Sequence, residues 1–440
     1  MGESSPRAPQ GGPGERRVDK PAVDVTALFA LARATGIQRV VRAIIGDASE
    51  FHLVAFDETL GGYRLPSGLP QTAKRDDSVP ARRLRNAARL FAYMLWLGVG
   101  WLMKPLANTA LFQRIKRLAG AGYSRFLGEV TLPGPIAGPV VPLEDIHALW
   151  LLDIPKSPAH MEFLRSTVLP AVRVFGVYVY DLIPVDSPEL IDAPDRKSLV
   201  REYEDYLDLV TRAERVLCLS VHTKNRLLAY CRSRSRNLKA VPKVVYPPMV
   251  QSMELTRDDE GLHAAGSPAR RVFGLAPLNR RKNLRVVLQA FRNSIRSGVD
   301  AELRLVVPVM SAVHIPTAVL ALWLAIRYQN RVKLFGPVDS STLVTLYQWA
   351  DVVVVPSRSE GFGLPIVEAL AAGKPVVASA CTSFIELAEL LPIRLVDPDS
   401  PDEWSSALFS PMPPTIHNVD FSKVLTSPAD FRQVIIDQSR

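Results

Sequence analysis

The chain has 440 residues, room for two or three domains with cores of their own. Apolar residues make up 48% and charged residues 22%, an ordinary globular balance. The three cysteines, Cys218, Cys231 and Cys381, show neither a metal-ligand spacing nor an even-numbered disulfide framework, which points to free thiols in a reducing compartment. Lysine and arginine exceed aspartate and glutamate by nine, yet residues 82–117 alone supply +8, through Arg82, Arg83, Arg85, Arg89, Lys104, Arg114, Lys116 and Arg117 with no acid among them. A nucleic-acid binder needs a basic face across a domain; here the charge brackets an apolar run.

Residues 1–22 are polar and rich in proline and glycine. They lack the apolar core of a secretory leader and are expected to be a disordered lead-in. Pro6 stands where a myristoylation signal wants Ser or Thr. Ordered sequence is expected from Val23. "VDVTALF" reads as a strand and "TGIQRVVRAII" as a loop entering a helix, with Ile37, Val40, Val41 and Ile44 at helical spacing. "FHLVAF" is a second strand. The alternation breaks over 66–130 and resumes with a strand in "LEDIHALWLLD". "TVLPAVRVFGVYVYDLIP" gives a helix and an apolar strand ending at Tyr180 and Asp181. "REYEDYLDLVTRAE" is an amphipathic helix, "RVLCLS" a short buried strand, and "KVVYPP" closes this half.

Residues 251–269 are small and polar and read as a linker. The pattern then restarts, with apolar strands in "RRVFGLAP", "AELRLVVPV", "RVKLFGPV", "DVVVVPS" and "KPVVAS", separated by helices in "NLRVVLQAFRNSI", "IPTAVLALWLAIRYQ", "SSTLVTLYQWA" and "LPIVEALAA". Apolar strands alternating with helices predict parallel sheets covered on both faces. The expected fold is α/β, with two Rossmann-like domains facing a cleft and ligands at the carboxyl ends of the strands. The expected division is a tail (1–22), a first domain (23–250) with an insertion at 66–130, a linker (251–269), a second domain (270–415) and a terminal tail or helix (416–440).

The segment "SRSEGFGLPIVEALAAG" follows the strand "DVVVVP". Pro365 suits the first turn of a helix, and Gly373 with Pro375 stops it. Gly361, Phe362 and Gly363 then form the strand-to-helix turn. Free N–H groups at that helix start attract anions, phosphates above all, and glycine lets a ligand approach the backbone. Glu360 precedes the helix, and Glu368 lies about one turn inside it. Two carboxylates without a histidine or a third acid make a poor metal site. "EGFGLP" is not the dinucleotide fingerprint either.

"VKLFGPVDSSTLVTLYQWADVVVVPSRSEGFGLPIVEALAAGKPVVAS" resembles the donor domain of retaining glycosyltransferases of the GT-B fold, family four, bacterial and mannosyltransferase-like, whose signature is the Glu-x7-Glu pair matched by Glu360 and Glu368. "LAPLNRRKNLRVVLQAF" is similar to that family's phosphate-contacting segment. "DVTALF…TGIQRVVR", "VYDLIPVDSPEL" and "CLSVHT" are similar to its acceptor domain. The resemblance covers roughly residues 24–65 and 145–400. It implies that Glu368 holds the ribose hydroxyls of a nucleotide, and that Glu360 faces the donor sugar and stabilises positive charge at the anomeric carbon. It implies amides of Phe362, Gly363 and Leu364 at the sugar and diphosphate, Gly361 in the same turn, Lys282 and Arg281 on the phosphates, and Gly36 in the loop beneath them. Asp181 enters the cleft after its strand, where many relatives have a preceding histidine; here that residue is Tyr180. A strand end with a capping aspartate is an equal reading of that pair.

Arg280 is an alternative second cation, because Ala276 and Pro277 replace the family's usual turn. His222 reads as structural, Ser220 and Thr223 as a helix cap, and Ser383 with Glu386 as a capping box. The implied activity is hexose transfer from a sugar nucleotide, GDP-mannose favoured, to a glycan or polyprenyl-diphosphate-linked acceptor in cell-surface polysaccharide synthesis. The anomeric configuration is retained, and neither metal nor other cofactor is implied. An epimerase or phosphorylase of the same fold, or a non-catalytic sugar-nucleotide-binding module, are the alternatives.

Residues 90–103 form an unbroken apolar run, about 21 Å as a helix and short of the ~30 Å hydrocarbon core of a bilayer. With Trp96, Trp101 and one-sign flanks, the segment is expected to lie in an anionic membrane surface, making the protein peripheral on the cytoplasmic face of the inner membrane. Two buried core helices are the competing reading.

Overall fold

The computed structural model describes residues 20–30, 36–47, 49–69, 136, 138–155, 157–192, 196–248, 269–307, 314–412, 416 and 418–440. The lead-in, the basic apolar segment at 82–117 and nearly all of the linker lie outside the described residues. Two sheets organise the rest.

The first sheet contains β1 (Ala22–Asp24), β2 (His52–Asp57), β3 (Gly62–Arg64), β4 (Ala148–Leu151), β5 (Val174–Val179), β6 (Arg215–Cys218) and β7 (Lys243–Val244). Their order is β3-β2-β1-β4-β5-β6-β7, parallel except for the antiparallel β2–β3 hairpin at the edge. The second sheet contains β8 (Arg270–Leu275), β9 (Ala301–Val306), β10 (Val332–Phe335), β11 (Val352–Val355), β12 (Val376–Ser379) and β13 (Ile393–Val396). It is parallel throughout, in the order β10-β9-β8-β11-β12-β13. Each sheet therefore starts in its middle and reverses winding direction there, between β1 and β4 and between β8 and β11. Crossovers leave toward opposite faces on either side of such a point, which opens a crevice at the strand carboxyl ends.

The central strands are runs of buried residues, as strands covered on both faces require: every residue of β4, β5, β11 and β12 is buried. Side-chain caps set several helix starts. Asp339 accepts from the Thr342 amide (2.7 Å) at the head of helix Ser340–Trp349, and Ser220 accepts from the Thr223 amide (3.0 Å) at the head of helix Val221–Ser233.

Local corrections to the sequence reading have identifiable causes. "VDVTALF" is not one strand: the Asp24 carboxylate accepts from both the amide (2.9 Å) and the hydroxyl (2.5 Å) of Thr26, which turns the chain into helix Thr26–Ala30. In "LEDIHALWLLD" only Ala148–Leu151 is strand, and Leu143–Asp145 forms a 3-10 turn.

The C-terminal helix Pro428–Gln438 lies on the first half rather than the second. Phe431 packs edge-on to Tyr178 of β5 (5.1 Å), Arg432 pairs with Glu50, and the Trp150 indole donates to the Ser439 hydroxyl (2.8 Å). The last residues therefore tie the second half back to the first. Among the described residues, no helix is long and apolar enough to cross a membrane.

Candidate functional site

The second sheet delivers two loops to one point from its switch-point strands. After β8, residues 276–283 make a turn in which Asn279 Oδ1 accepts from the Lys282 amide (2.9 Å) and Asn283 takes a left-handed conformation (φ 49°) before helix Leu284–Arg296. After β11, residues 356–363 lead into helix Leu364–Ala371. The Arg358 amide donates to the Arg281 carbonyl (2.8 Å), joining the loops.

Glu360 sits between the loops, with its side chain 13% exposed. The Arg281 guanidinium donates to its Oε2 (3.0 Å), and Lys282 Nζ pairs with its Oε1. Burial alone would raise the Glu360 pKa, but Lys282 and then Arg281 override it and hold the carboxylate at about 2. Burial lowers the Lys282 pKa against the pull of Glu360.

The first half contributes Asp181, beyond the end of β5. Its carboxylate accepts from the Ile183 amide (3.1 Å), and its carbonyl accepts from the Tyr203 hydroxyl. Burial raises its pKa, and Arg281 is the strongest influence in the other direction. Asp181 thus binds the first amide of the turn after β5 and faces the cation pair. Tyr180 points away, donating its hydroxyl to the Leu152 carbonyl (2.8 Å) in the core. It supplies packing at this position.

Gly361 sets the approach of the two halves, and Gly363 sets packing within the second. Gly361 lies directly beneath the end of β5: a Cβ there would stand 2.2 Å from the Tyr180 carbonyl oxygen and 3.1 Å from Asp181 Cβ. Its own carbonyl accepts from the Ser220 hydroxyl (2.8 Å), and Thr223 Oγ1 donates to the Tyr180 carbonyl (3.0 Å). Gly363, at φ 128°, heads helix Leu364–Ala371 with no side-chain cap, and a Cβ on it would meet the Phe384 ring at 2.7 Å. The glycines expected to admit a ligand admit neighbouring protein. Phe362 between them is buried and tilted against Tyr246 (6.0 Å).

Gly36 begins helix Gly36–Ile45 opposite Leu364: a Cβ on it would lie 3.7 Å from Leu364 Cδ1. The first residues of the two helices, Gly36 and Leu364, are thus neighbours. One turn along each helix comes a contact that sequence spacing missed. Glu368, 1% exposed, accepts from Arg39 Nη1 (2.6 Å) of the first half and from the Tyr347 hydroxyl (3.0 Å). Arg39 lies three residues after Gly36; a charge in the first turn of an otherwise apolar helix start was its only local signal.

Arg280, the alternative second cation for the phosphates, does not join this cluster. It crosses to Asp192 instead, through its amide (2.7 Å) and Nε (3.0 Å). The capping-box reading of Ser383 and Glu386 also fails. Cys381 precedes helix Thr382–Ala388 without a side-chain cap, and the Glu386 carboxylate accepts from the Val221 (3.0 Å) and His222 (2.7 Å) amides and from the Tyr246 hydroxyl (2.9 Å). It caps a helix of the opposite half, where the macrodipole favours an anion. His222 stays structural, its ring against Thr382 Oγ1 (3.2 Å). Among the described residues, no group of three or more His, Cys, Asp or Glu is arranged to hold a metal ion.

Residues 269–410 match the family model for glycosyl transferases group 1. The D-inositol 3-phosphate glycosyltransferase of Corynebacterium urealyticum is 33% identical over 162 residues, 34% of this chain and 38% of that protein. The corresponding protein of Corynebacterium glutamicum is 42% identical over 81 residues, 18% of this chain and 19% of its own. The chain thus spans less than two-fifths of the length of these curated relatives. A UDP-forming α,α-trehalose-phosphate synthase from Burkholderia xenovorans, solved with glucose-6-phosphate, aligns over 95% of this chain and 99% of its own with a TM-score of 0.56 at 14% identity. At that identity the shared property is the fold, two Rossmann-like domains in the GT-B arrangement.

Proposed function

We propose that the protein is a retaining hexosyltransferase that uses a sugar nucleotide, a reading supported by the match of residues 269–410 to the family model for glycosyl transferases group 1. The observation that carries this reading is the convergence of Glu360, Arg281, Lys282 and Asp181 where the switch-point strands of the second sheet meet the end of β5. Arg281 and Lys282 offset charge on the departing nucleoside diphosphate, and the amides of Gly363 and Leu364 and the helix start at Gly36 receive its oxygens. Glu360 sits beside the anomeric carbon, where its fixed negative charge favours a cationic transition state. The leaving phosphate takes the proton from the acceptor hydroxyl on the same face of the sugar, so the protein's share is positioning and charge.

Glu368 fixes the ribose, and Arg39 must move aside from it as the nucleotide enters. GDP-mannose is the donor favoured by the "GFGLP" and "RKN" forms. A uridine nucleotide is the competitor, because matched synthases are UDP-forming. A glycan or lipid-linked acceptor and a place in surface polysaccharide synthesis complete the proposal.

Thermal unfolding against a panel of nucleoside diphosphates and sugar nucleotides tests it. One base is expected to stand out, adding about 2.7 kcal/mol at a hundredfold excess over its Kd. Replacing Glu368 with alanine should abolish most of that shift. Equal, negligible shifts for every nucleotide would refute the proposal.

A further inference from the structure

Charged contacts bridge the two halves around the candidate site. Asp192 of the first half holds Arg280, Glu386 of the second holds the Val221 and His222 amides, and Arg39 of the first holds Glu368. Asp192 and Glu386 are not among the groups assigned to the nucleotide. Glu368 is, so this bridge and the ligand compete for one carboxylate. The pair lies largely out of water: the Glu368 side chain is 1% exposed and that of Arg39 30%. Salt screens such a pair little. Removing one member leaves an uncompensated buried charge, which is strongly destabilising.

The bonding of Glu368 decides what can take the cation's place. Its Oε1 accepts from Arg39 Nη1 (2.6 Å) and its Oε2 from the Tyr347 hydroxyl (3.0 Å). An ionised carboxylate only accepts hydrogen bonds, and its two oxygens offer about four lone pairs. Tyr347 is buried on helix Ser340–Trp349, in the same half as Glu368, so its bond does not depend on the cleft. Arg39 reaches Oε1 from the other half on a long side chain. The helix that carries it is held elsewhere: Gln38 Nε2 donates to the Ala27 carbonyl (2.7 Å), and Arg432 Nη1 donates to the Ile44 carbonyl (3.5 Å) at the far end. The movable part is therefore the Arg39 side chain. An anion cannot replace it at a carboxylate; a pair of hydroxyl donors can.

We propose that Arg39 is a built-in stand-in for the ribose diol. In the empty protein its guanidinium holds Glu368 across the cleft. A nucleotide binds by exchange: its 2′ and 3′ hydroxyls take over Glu368, and the guanidinium swings out into the cleft. The buried carboxylate is paired in both states. Entry depends on the diol, because a ligand without one leaves Glu368 to Arg39. The exchange also weakens apparent affinity, since a site whose binding form is populated a tenth of the time binds about tenfold more weakly. The inference rests on the reading of Glu368 as the ribose clamp.

Thermal unfolding of the full chain tests it, with Arg39→Met, which keeps the stem and removes the charge, and Arg39→Gln as a second variant. Without ligand, both should unfold below the parent. With saturating UDP or GDP, whichever stabilises the parent, that gap should close, because Glu368 then holds the diol in every protein. Titration should give Arg39→Met a Kd at least about tenfold below the parent's. The 2′,3′-dideoxy form of the same diphosphate should leave the gap open. A gap that persists at saturating diphosphate would make Arg39 a structural partner only. A gap that widens would make it a ligand contact, and one that closes equally with the dideoxy form would remove the diol from the exchange. Each of these overturns the inference while the stabilised parent keeps the transferase reading. If neither diphosphate stabilises the parent, that reading falls and the exchange falls with it.

Discussion

Replacing Glu360 with alanine is expected to lower sugar release from the donor by about 10³-fold and leave nucleoside diphosphate binding equal or tighter. The rate loss follows from removing a fixed charge aimed at the reacting carbon, an effect worth about 10²–10³ for one preorganised group. The binding result follows from the geometry. Glu360 pairs with both Arg281 and Lys282, so its removal leaves both cations to the diphosphate. Glu360→Gln keeps the shape and removes only the charge, and should lose most of the rate as well. Protonation does not intervene at working pH. The folded carboxylate titrates at about 2 against an ordinary 4.5, so its charge and the stabilisation from its pairing are fully present above about pH 4.5 and disappear only as the pH falls through 2. A Glu360→Ala variant with wild-type turnover would remove Glu360 from the chemistry.

Gly361→Ala is expected to cost about 10² in turnover, with nucleotide affinity kept within a few fold. The added methyl would stand 2.2 Å from the Tyr180 carbonyl oxygen, far inside contact distance, and neither partner is a flexible side chain that can swing away. Residues on both sides are also pinned: Ser220 Oγ holds the Gly361 carbonyl, and Thr223 Oγ1 holds that of Tyr180. The cheapest relief is for the halves to separate, which withdraws Asp181 from Arg281 and Glu386 from its helix on the first half. Small-angle scattering should therefore show a larger radius of gyration for Gly361→Ala than for the parent. Parental scattering and parental turnover together would mean that the close approach at Gly361 is dispensable.

The second sheet was the most legible part of the sequence. Parallel strands covered on both faces are short apolar runs, and β8, β11 and β12 stood out as "RRVFGLAP", "DVVVVPS" and "KPVVAS". Pro365 and Gly373 punctuated helix Leu364–Ala371 as read. The family resemblance put Glu360 at the sugar and Lys282 and Arg281 at the phosphates, and in the structure the three side chains meet directly.

Contacts across the cleft were not legible. Arg39 and Glu368 are 329 residues apart, and Glu386 lies 164 residues from the His222 amide it accepts. Local pattern assigned Glu386 to the nearest helix start, whereas a carboxylate serves whichever N-terminus the fold brings to it. The first strand was drawn too long for a similar reason: a side-chain turn at Asp24 outweighed the β-character of "VDVTALF". Ile315, Val319, Trp323 and Ile326 on helix Ile315–Arg327 are exposed, which the sequence did not show because an apolar helix reads as core on every side.

The central claim is transfer with retention from a nucleotide-activated sugar, and the anomeric configuration of the released sugar tests it most directly. Proton NMR can follow GDP-α-mannose or UDP-α-glucose, whichever nucleotide stabilises the fold, before the released sugar mutarotates. The α-anomer should appear first, with a rate that collapses in Glu360→Ala. A β-anomer appearing first would contradict retention, and turnover indifferent to Glu360 would contradict the site.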